Sequence, residues 1–418
     1  MSKPFLLFRG PVETVSGYGA HSRDLLWSFY ESKLFDIKID SCFWGSTPMN
    51  ALDTDNNLFH LWIKNNIVTE LQIQPDYYVQ VTVANEFQPL GKYNIGVTAG
   101  VETNMIPKDW ITGCNKMNLV ITTSNFSKGT MLLTQYSDML PTKIGANIEV
   151  LFEGVDTVTF KKLDYSELPN CKIKNYLDNI ENDFCFLFVG HWLKGNLGQD
   201  RKDVGMLIKT FAETFSGEKN QPALILKTSA ATFSVKERER ISTMIKNIVS
   251  EIPNKPPVYL VFGQLSDEEM NCMYNHPKIK SLVSFTKGEG FGRPLLEFSM
   301  SGKPIIASNW SGHLDFLNSE EAVLLDGELK DVDDSAVDQF IIKGSKWFQV
   351  NYETASHKLK DMVINYEAHL IKSEKLRLKN MENFSMYKMT NKLSQIMQNC
   401  LGQQRLNESS LPKLIRAT

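Results

Sequence analysis

The residues best placed for chemistry are two carboxylates, Glu289 and Glu297, in the stretch Thr286-Lys287-Gly288-Glu289-Gly290-Phe291-Gly292-Arg293-Pro294-Leu295-Leu296-Glu297. The first stands in a glycine-rich turn. The second falls eight positions on, inside a helix that Pro294 is expected to open, because proline is favoured in a first helical turn. Free backbone N–H groups and the helix dipole at such a turn favour an anion, and glycine lets a ligand approach the backbone closely. Carboxylates beside a phosphate must face something else, and the hydroxyls of a sugar or ribose suit them. The stretch therefore points to a nucleotide-sugar. The helix around Glu297 is apolar at Leu295, Leu296, Phe298 and Met300, so a charge there is costly without a partner.

Composition bounds the rest. A chain of 418 residues is too long for one ordinary core and implies two or three domains. Hydrophobic residues at 42% and charged residues at 22% place it among globular proteins rather than disordered or membrane chains. A net charge of −3 argues against a broad basic face for nucleic acid, while a local groove with Lys161, Lys162, Lys172 and Lys174 stays open. The cysteines (Cys42, Cys114, Cys171, Cys185, Cys272, Cys400) show no C-x-x-C spacing and read as reduced thiols rather than a disulfide frame or zinc site. Met1–Phe8 is too short for a signal peptide, and no apolar run is long enough to span a bilayer. The expectation is a cytoplasmic chain with no membrane insertion.

These side chains need a frame. Pro4–Phe8 reads as a buried strand, followed by Ser16-Gly17-Tyr18-Gly19 and a helix with Leu25, Leu26, Trp27 and Phe29, the opening of a Rossmann-like unit. Further strands are expected at Phe35–Ile39, Tyr77–Val83, Asn94–Thr98, Leu119–Thr123 and Ile148–Phe152. Residues 161–183 turn polar and irregular. The pattern then restarts with the apolar run Phe184–Gly190 and strands at Ala223–Lys227, Val258–Phe262, Leu282–Phe285 and Pro304–Ala307. From about Ser345 the tail reads as wholly helical. Alternating elements of this kind imply two α/β halves, each a doubly wound parallel sheet. The expected division is 1–165 as the first Rossmann-like domain, 166–182 as linker and 183–375 as the second. A helix over 376–401 returns to the first domain, and 402–418 forms a frayed tail.

In open α/β sheets ligands bind beyond the carboxyl ends of the strands. That rule brings the loop with Gly17 and Gly19, the Gly190–Lys202 loop, Lys227, Gly263–Leu265, Lys287–Gly292 and Asn309–His313 to one cleft. Arg201, Lys202 and Lys227 supply cations there, and fixed cations stabilise the charge that grows on a leaving diphosphate without a metal. No compact Asp/His cluster suggests a metal site.

Glu289-x7-Glu297, with Gly302-Lys303-Pro304-Ile305-Ile306-Ala307-Ser308 after it, resembles the signature of the family-4 retaining glycosyltransferases of GT-B fold. Ser16–Gly19 is similar to that family's N-terminal glycine loop, Gly154-Val155-Asp156 to its interdomain element, and Leu265-Ser266-Asp267-Glu268-Glu269 to its base-pocket segment. The resemblance implies two Rossmann-like domains facing across a cleft with C-terminal helices crossing back. It implies that Glu289 touches the donor sugar near the reacting carbon and that Glu297 holds the ribose. Gly290, Phe291 and Gly292 would offer backbone N–H groups, and Arg201 and Lys202 would neutralise phosphates. The sequence departs from the pattern at Gly190-His191, where the family writes Gly-Arg, leaving Arg201 as the candidate replacement. It departs again at Thr98-Ala99-Gly100-Val101-Glu102, which lacks the family's histidine and leaves Glu102 as the acceptor-side candidate.

The expected activity is sugar transfer from a nucleotide-sugar to an acceptor hydroxyl with retention. It needs no metal and no cofactor beyond the nucleotide-sugar as co-substrate. Rival readings are transfer to hydroxymethylated bases of phage-type DNA, which the charge disfavours, an inactive binding module, and, less favoured, an epimerase or phosphorylase.

Overall fold

A computed structural model describes residues 3–230 and 232–410, with side chains up to residue 401. The first lobe contains β1 (Phe5–Gly10), α1 (Gly17–Ser32), β2 (Asp36–Ser41), α2 (Leu58–Asn66), β3 (Tyr77–Val81), β4 (Tyr93–Thr98), α3 (Lys108–Cys114), β5 (Leu119–Thr122), α4 (Asn125–Leu133) and β6 (Asn147–Val150). Its six strands are parallel, in the order β2-β1-β3-β4-β5-β6. Leu6, Leu7 and Phe8 are fully buried, as expected of a strand covered on both faces. Ser16 caps α1 by accepting the Gly19 N–H at 2.9 Å.

The second lobe contains α5 (Lys172–Asp178), β7 (Cys185–His191), α6 (Val204–Thr214), β8 (Ala223–Ser229), α7 (Val235–Val249), β9 (Val258–Val261), α8 (Asp267–Asn275), β10 (Ile279–Ser284), α9 (Arg293–Ser299), β11 (Ile305–Ser308) and β12 (Val323–Leu325). β13 (Gly327–Asp331), β14 (Lys346–Val350), α10 (Tyr352–Ile364), α11 (Tyr366–Asn383) and α12 (Met386–Ser410) follow. Its main sheet is again six parallel strands, β12-β11-β10-β7-β8-β9. Each sheet reverses its order once, between β1 and β3 in the first lobe and between β7 and β10 in the second. Those are the points where the loops splay apart and leave a crevice.

One apolar cluster runs without a break from Leu6 and Leu25 through Phe152 to Phe298 and Leu393, so the lobes share a core on the side away from the cleft. The chain returns there. Val155 donates to Phe384 O at 2.8 Å and accepts from the Met386 N–H at 2.9 Å, clasping the start of α12. A side chain at Gly154 would put its Cβ 2.8 Å from the Met386 Cα, which accounts for the glycine. α12 then lies on α1, with the Ser28 and Thr390 hydroxyls 3.1 Å apart.

Four expectations need correction. The tail from Ser345 opens with a strand: β14 pairs antiparallel with β13, burying Trp347, Phe348 and Val350 through a partner distant in sequence. The stretch 166–182 holds the helix α5, which buries Ile173 and Leu177, four apart on one face. The boundary at 375/376 falls inside α11; the chain turns at Phe384, whose ring packs on Phe152 with centroids 5.0 Å apart. The frayed tail expected from 402 is helical to Ser410, and 411–418 lie outside the described residues.

Leu393, on α12, is fully buried in the shared core. Leu393→Ala is expected to lower unfolding stability by about 2–5 kcal/mol; urea unfolding checks it, and a loss below about 1 kcal/mol would mean that α12 contributes little to the first lobe.

Candidate active site

The loops leaving β7 and β10, neighbours at the reversal point of the second sheet, meet at Glu289. Lys202 Nζ is ion-paired with Glu289 Oε1, and Arg201 Nη1 lies 3.4 Å from Oε2. The same Nη1 donates to Gly288 O at 2.9 Å, while Arg201 Nε pairs with Glu102 Oε2 at 2.9 Å. Glu102 belongs to the first lobe, in the loop after β4. Charges therefore alternate across the lobe boundary as Lys202, Glu289, Arg201, Glu102. Burial by itself would raise the Glu289 carboxyl, but the two cations outweigh it and hold it down to about 2. Burial lifts Glu102 above its ordinary value against the pull of Arg201.

A second ion pair fixes both loops. Lys287 and Asp203 are wholly buried, with Nζ and Oδ2 3.2 Å apart. The Tyr352 hydroxyl donates to the same Oδ2 at 2.7 Å. Lys287 N–H donates to Arg201 O at 2.7 Å. Asp203 follows the two cations and Lys287 precedes Glu289 by two positions, so this pair sets the distance between them.

The lobes touch backbone to backbone. A Cβ at Gly288 would lie 2.0 Å from Glu102 O, and one at Gly290 2.0 Å from Ala99 O. Thr123 Oγ1 donates to Ala99 O at 2.8 Å and to Gly290 O at 3.2 Å. Phe291 packs on Phe316 with ring centroids 5.0 Å apart, so only its backbone faces the crevice. Among the described residues no protein acceptor takes the N–H of Gly290, Phe291 or Gly292.

Glu297 sits one turn into α9. Arg293 Nε donates to its Oε1 at 2.6 Å, and Arg293 Nη1 pairs with Asp24 of α1. Burial raises the Glu297 carboxyl to about 7, against Arg293 and with Asp267 adding. Nearby, Glu153 is buried beyond β6, and burial lifts it to about 7 against Arg293. His21 Nδ1 stands 3.9 Å from its Oε1, too far for a hydrogen bond. Neither ring nitrogen of His21 has a protein partner, and burial lowers the imidazole to about 4.

The structure thus brings Glu289, Glu102, Arg201, Lys202 and Gly290 together and sets Glu297 against Arg293. Lys227 and Leu265 lie on the other side of β7. Lys227 donates to Gly263 O at 2.7 Å and is lowered to about 8 by burial; Leu265 packs half-buried on the core. Gly17 has open space around it, whereas Gly19 packs against Thr14 O. Sequence reasoning passed over Arg293, although its spacing to Glu297 is an i,i+4 pair. Asp24, Glu153 and the Asp203–Lys287 pair carried no local signal. Of the lysines of the suggested nucleic-acid groove, Lys162 pairs with Glu374 at 3.1 Å and Lys174 with Asp178 at 2.8 Å. Among the described residues no group of three or more His, Cys, Asp or Glu could hold a metal ion, and no helix is long and apolar enough to cross a membrane.

No protein-family model matches the chain, and no curated protein matches it. Solved structures do. A glycosyltransferase from Rickettsia africae ESF-5 superposes with a TM-score of 0.60 at 17% identity, covering 96% of this chain and 99% of that one. Anabaena HepE in complex with UDP-glucose gives 0.62 at 11% identity, covering 95% and 100%. The sucrose-phosphate synthase of Thermosynechococcus elongatus gives 0.65 at 11% identity, covering 96% and 100%. The chain has the GT-B fold. In GT-B terms Glu289 and Glu297 belong to the second domain, and the Glu102 and His21–Glu153 side of the cleft to the first.

Glu153 gives this cleft a pH signature. Its folded value of about 7 lies above the ordinary 4.5, so within that window the folded chain keeps a proton that the unfolded chain has lost. Stability then falls as pH rises through the window. Glu153→Gln removes that part of the slope and is expected to gain roughly 3 kcal/mol over the native chain at about pH 8 but little at about pH 4. Chemical denaturation at both pH values checks it; equal gains at both would show that Glu153 does not titrate in this way.

Proposed function

We propose that this protein is a glycosyltransferase that moves a sugar from a nucleotide-sugar to an acceptor hydroxyl, with retention at the anomeric carbon and without a metal ion. The observation that carries the reading is the ionised Glu289 held between Lys202 and Arg201 at the crevice where the second sheet reverses. A carboxylate there faces sugar hydroxyls as an acceptor of hydrogen bonds. The two cations beside it share their charge between Glu289 and a diphosphate, and lower the cost of the negative charge that grows as the sugar leaves.

Each neighbouring group takes a role from its place. Gly290, Phe291 and Gly292 offer N–H groups to the diphosphate or sugar. Glu297, steadied by Arg293, takes the ribose hydroxyls, with Lys227 and Leu265 on the nucleotide side of the same cleft. Gly17 and Gly19 keep the β1–α1 turn low beneath the donor. Glu102 stands on the acceptor side, tied through Arg201 to the donor carboxylate. No enzymic nucleophile stands opposite Glu289 in this reading. The acceptor therefore attacks from the face that the leaving group departs, and the departing phosphate takes the acceptor proton. The relation to HepE, whose structure holds UDP-glucose, supports a nucleotide-sugar donor.

The test begins with a thermal-shift panel of UDP-, GDP-, ADP- and CMP-sugars, in which a bound donor raises the midpoint by mass action. With the donor so found, Glu289→Gln keeps the shape of the side chain and is expected to lower turnover by about 100-fold or more while the circular dichroism spectrum stays that of the native chain. Full turnover in the variant sinks the assignment of Glu289. Loss of activity in EDTA would overturn the metal-free reading, and a product of inverted anomeric configuration by NMR would overturn retention. Donor binding with neither hydrolysis nor transfer would identify a binding module.

A further inference from the structure

Cys171 and Cys272 lie far apart in sequence and meet thiol to thiol, with their sulfurs 3.6 Å apart. Cys171 is half-buried just before α5; Cys272 is buried on α8. A polar frame that does not involve either thiol holds them in place. From α8, Asn271 Oδ1 accepts the Lys161 N–H at 3.2 Å and Asn275 Oδ1 accepts the Leu163 N–H at 2.9 Å, which docks the chain leading into α5. At the far end of α5, Asp178 accepts from Lys174 Nζ at 2.8 Å and from the Tyr165 hydroxyl at 2.8 Å, and stands 3.0 Å from His276 Nε2, just beyond α8. Groups held in contact in this way react at an effective concentration far above that of free partners. A closing movement of roughly 1.5 Å would bring the sulfurs to a disulfide bond length of about 2.05 Å.

We propose that Cys171 and Cys272 form a site of oxidative modification, joined as an intramolecular disulfide when the chain meets a disulfide oxidant such as glutathione disulfide. The Cys171 thiolate attacks one sulfur of the oxidant, expelling one glutathione thiolate and leaving a mixed disulfide on Cys171. Cys272 then gives up its proton to solvent and attacks the Cys171 sulfur, expelling the second glutathione. Two protein thiols are oxidised and one glutathione disulfide is reduced to two glutathiones. The order follows from access, since the half-buried Cys171 is the thiol that a reagent reaches. Burial, with the Cys171 thiol beside it, pushes the Cys272 thiol up to about 12, so the second step is the slow one. The link ties the stretch before α5 to the helix that follows Leu265, within the second lobe, and does not depend on the reading of the protein as a glycosyltransferase.

The experiment exposes the full chain to glutathione disulfide, quenches with acid at intervals, and alkylates the remaining thiols under denaturing conditions before mass spectrometry. A singly glutathionylated chain is expected first. A species lacking the adduct, with two fewer alkylated thiols than the reduced chain and with tryptic peptides 163–172 and 247–278 covalently joined, follows it. Cys171→Ser, at a half-buried position on the edge of the core, loses the joined peptides while the circular dichroism spectrum stays that of the native chain, whereas Cys42→Ser keeps them. A glutathione adduct that persists on Cys171 without joined peptides, or a link through any other thiol, overturns the proposal.

Discussion

Glu289 keeps its charge inside the protein because Lys202 and Arg201 stand against its two oxygens, and much of the second lobe is arranged to hold them there. A buried carboxylate with neither cation would take up a proton. The cations come from the loop after β7 and the carboxylate from the loop after β10. Two loops of such length do not hold register on their own. The Asp203–Lys287 pair, buried and joined by Tyr352 from α10, fixes one loop to the other. Asp203 accepts a left-handed backbone, with φ of 52°, a conformation that costs a non-glycine residue energy and persists only where its surroundings enforce it. Breaking a pair of this kind by removing one partner typically costs about 3–5 kcal/mol, because the other charge is left buried. Here the geometry of the Glu289 cluster would be lost with it.

The contact between lobes is of a different kind. Gly288 and Gly290 meet the carbonyls of Glu102 and Ala99 so closely that no side chain fits at either glycine. In this arrangement nothing the size of a sugar passes between those backbones. The contacts that cross the boundary on the cleft side include Thr123 and Ser127 to Gly290, Asn125 to Asp315, Asn104 to Lys346, Arg201 to Glu102 and Arg293 to Asp24, with the rings of Phe126 and Trp310 meeting at a centroid distance of 4.7 Å. On the other side the apolar cluster and α12 are continuous. Polar contacts exchange with water at a smaller net cost than a shared core, so any opening of the cleft would pivot about the α12 side. The alternating charges of the boundary suit such a motion, since Arg201 and Glu102 both gain solvent when they separate.

What the sequence made legible divides along the same line. Strands buried on both faces, such as Leu6–Phe8 and Phe186–Phe188, announce themselves by unbroken apolar runs, and their order with the intervening helices fixes two doubly wound sheets. Glu289 and Glu297 stood out because a turn of glycines and a helix-opening proline framed them. β13 and β14 were hidden because their pairing joins distant residues, and a short run such as Lys346–Val350 carries too little period to tell strand from helix. Asp24 and Glu153 were hidden for the same reason at the level of side chains, since only the folded chain brings them to Arg293. Arg201 was visible as a cation at a helix mouth. Its two carboxylate partners, one in each lobe, were not.

The two glutamates of the motif are chemically alike and end in opposite states. Glu289 has two cations against it, Lys202 and Arg201, the second shared with Glu102 of the first lobe, and is held at about 2. Glu297 shares its one neighbouring cation, Arg293, with Asp24, and also feels Asp267, so burial leaves it at about 7. Eight positions separate them in sequence: a loop that can bend toward β7, then one helical turn that returns the second carboxyl to the residue that opens α9. The sharing of Arg293 ties the second glutamate to the position of the lobes, because Asp24 belongs to α1 of the first lobe and raises the Glu297 carboxyl by its charge. Any movement that draws α1 away leaves Arg293 to Glu297 alone and moves that carboxyl down, toward its ionised form and toward a stronger acceptor of hydrogen bonds. The first glutamate keeps Lys202 and Arg201 of its own lobe through such a movement and loses only the competition of Glu102 for Arg201, so it stays ionised while the second follows the position of α1.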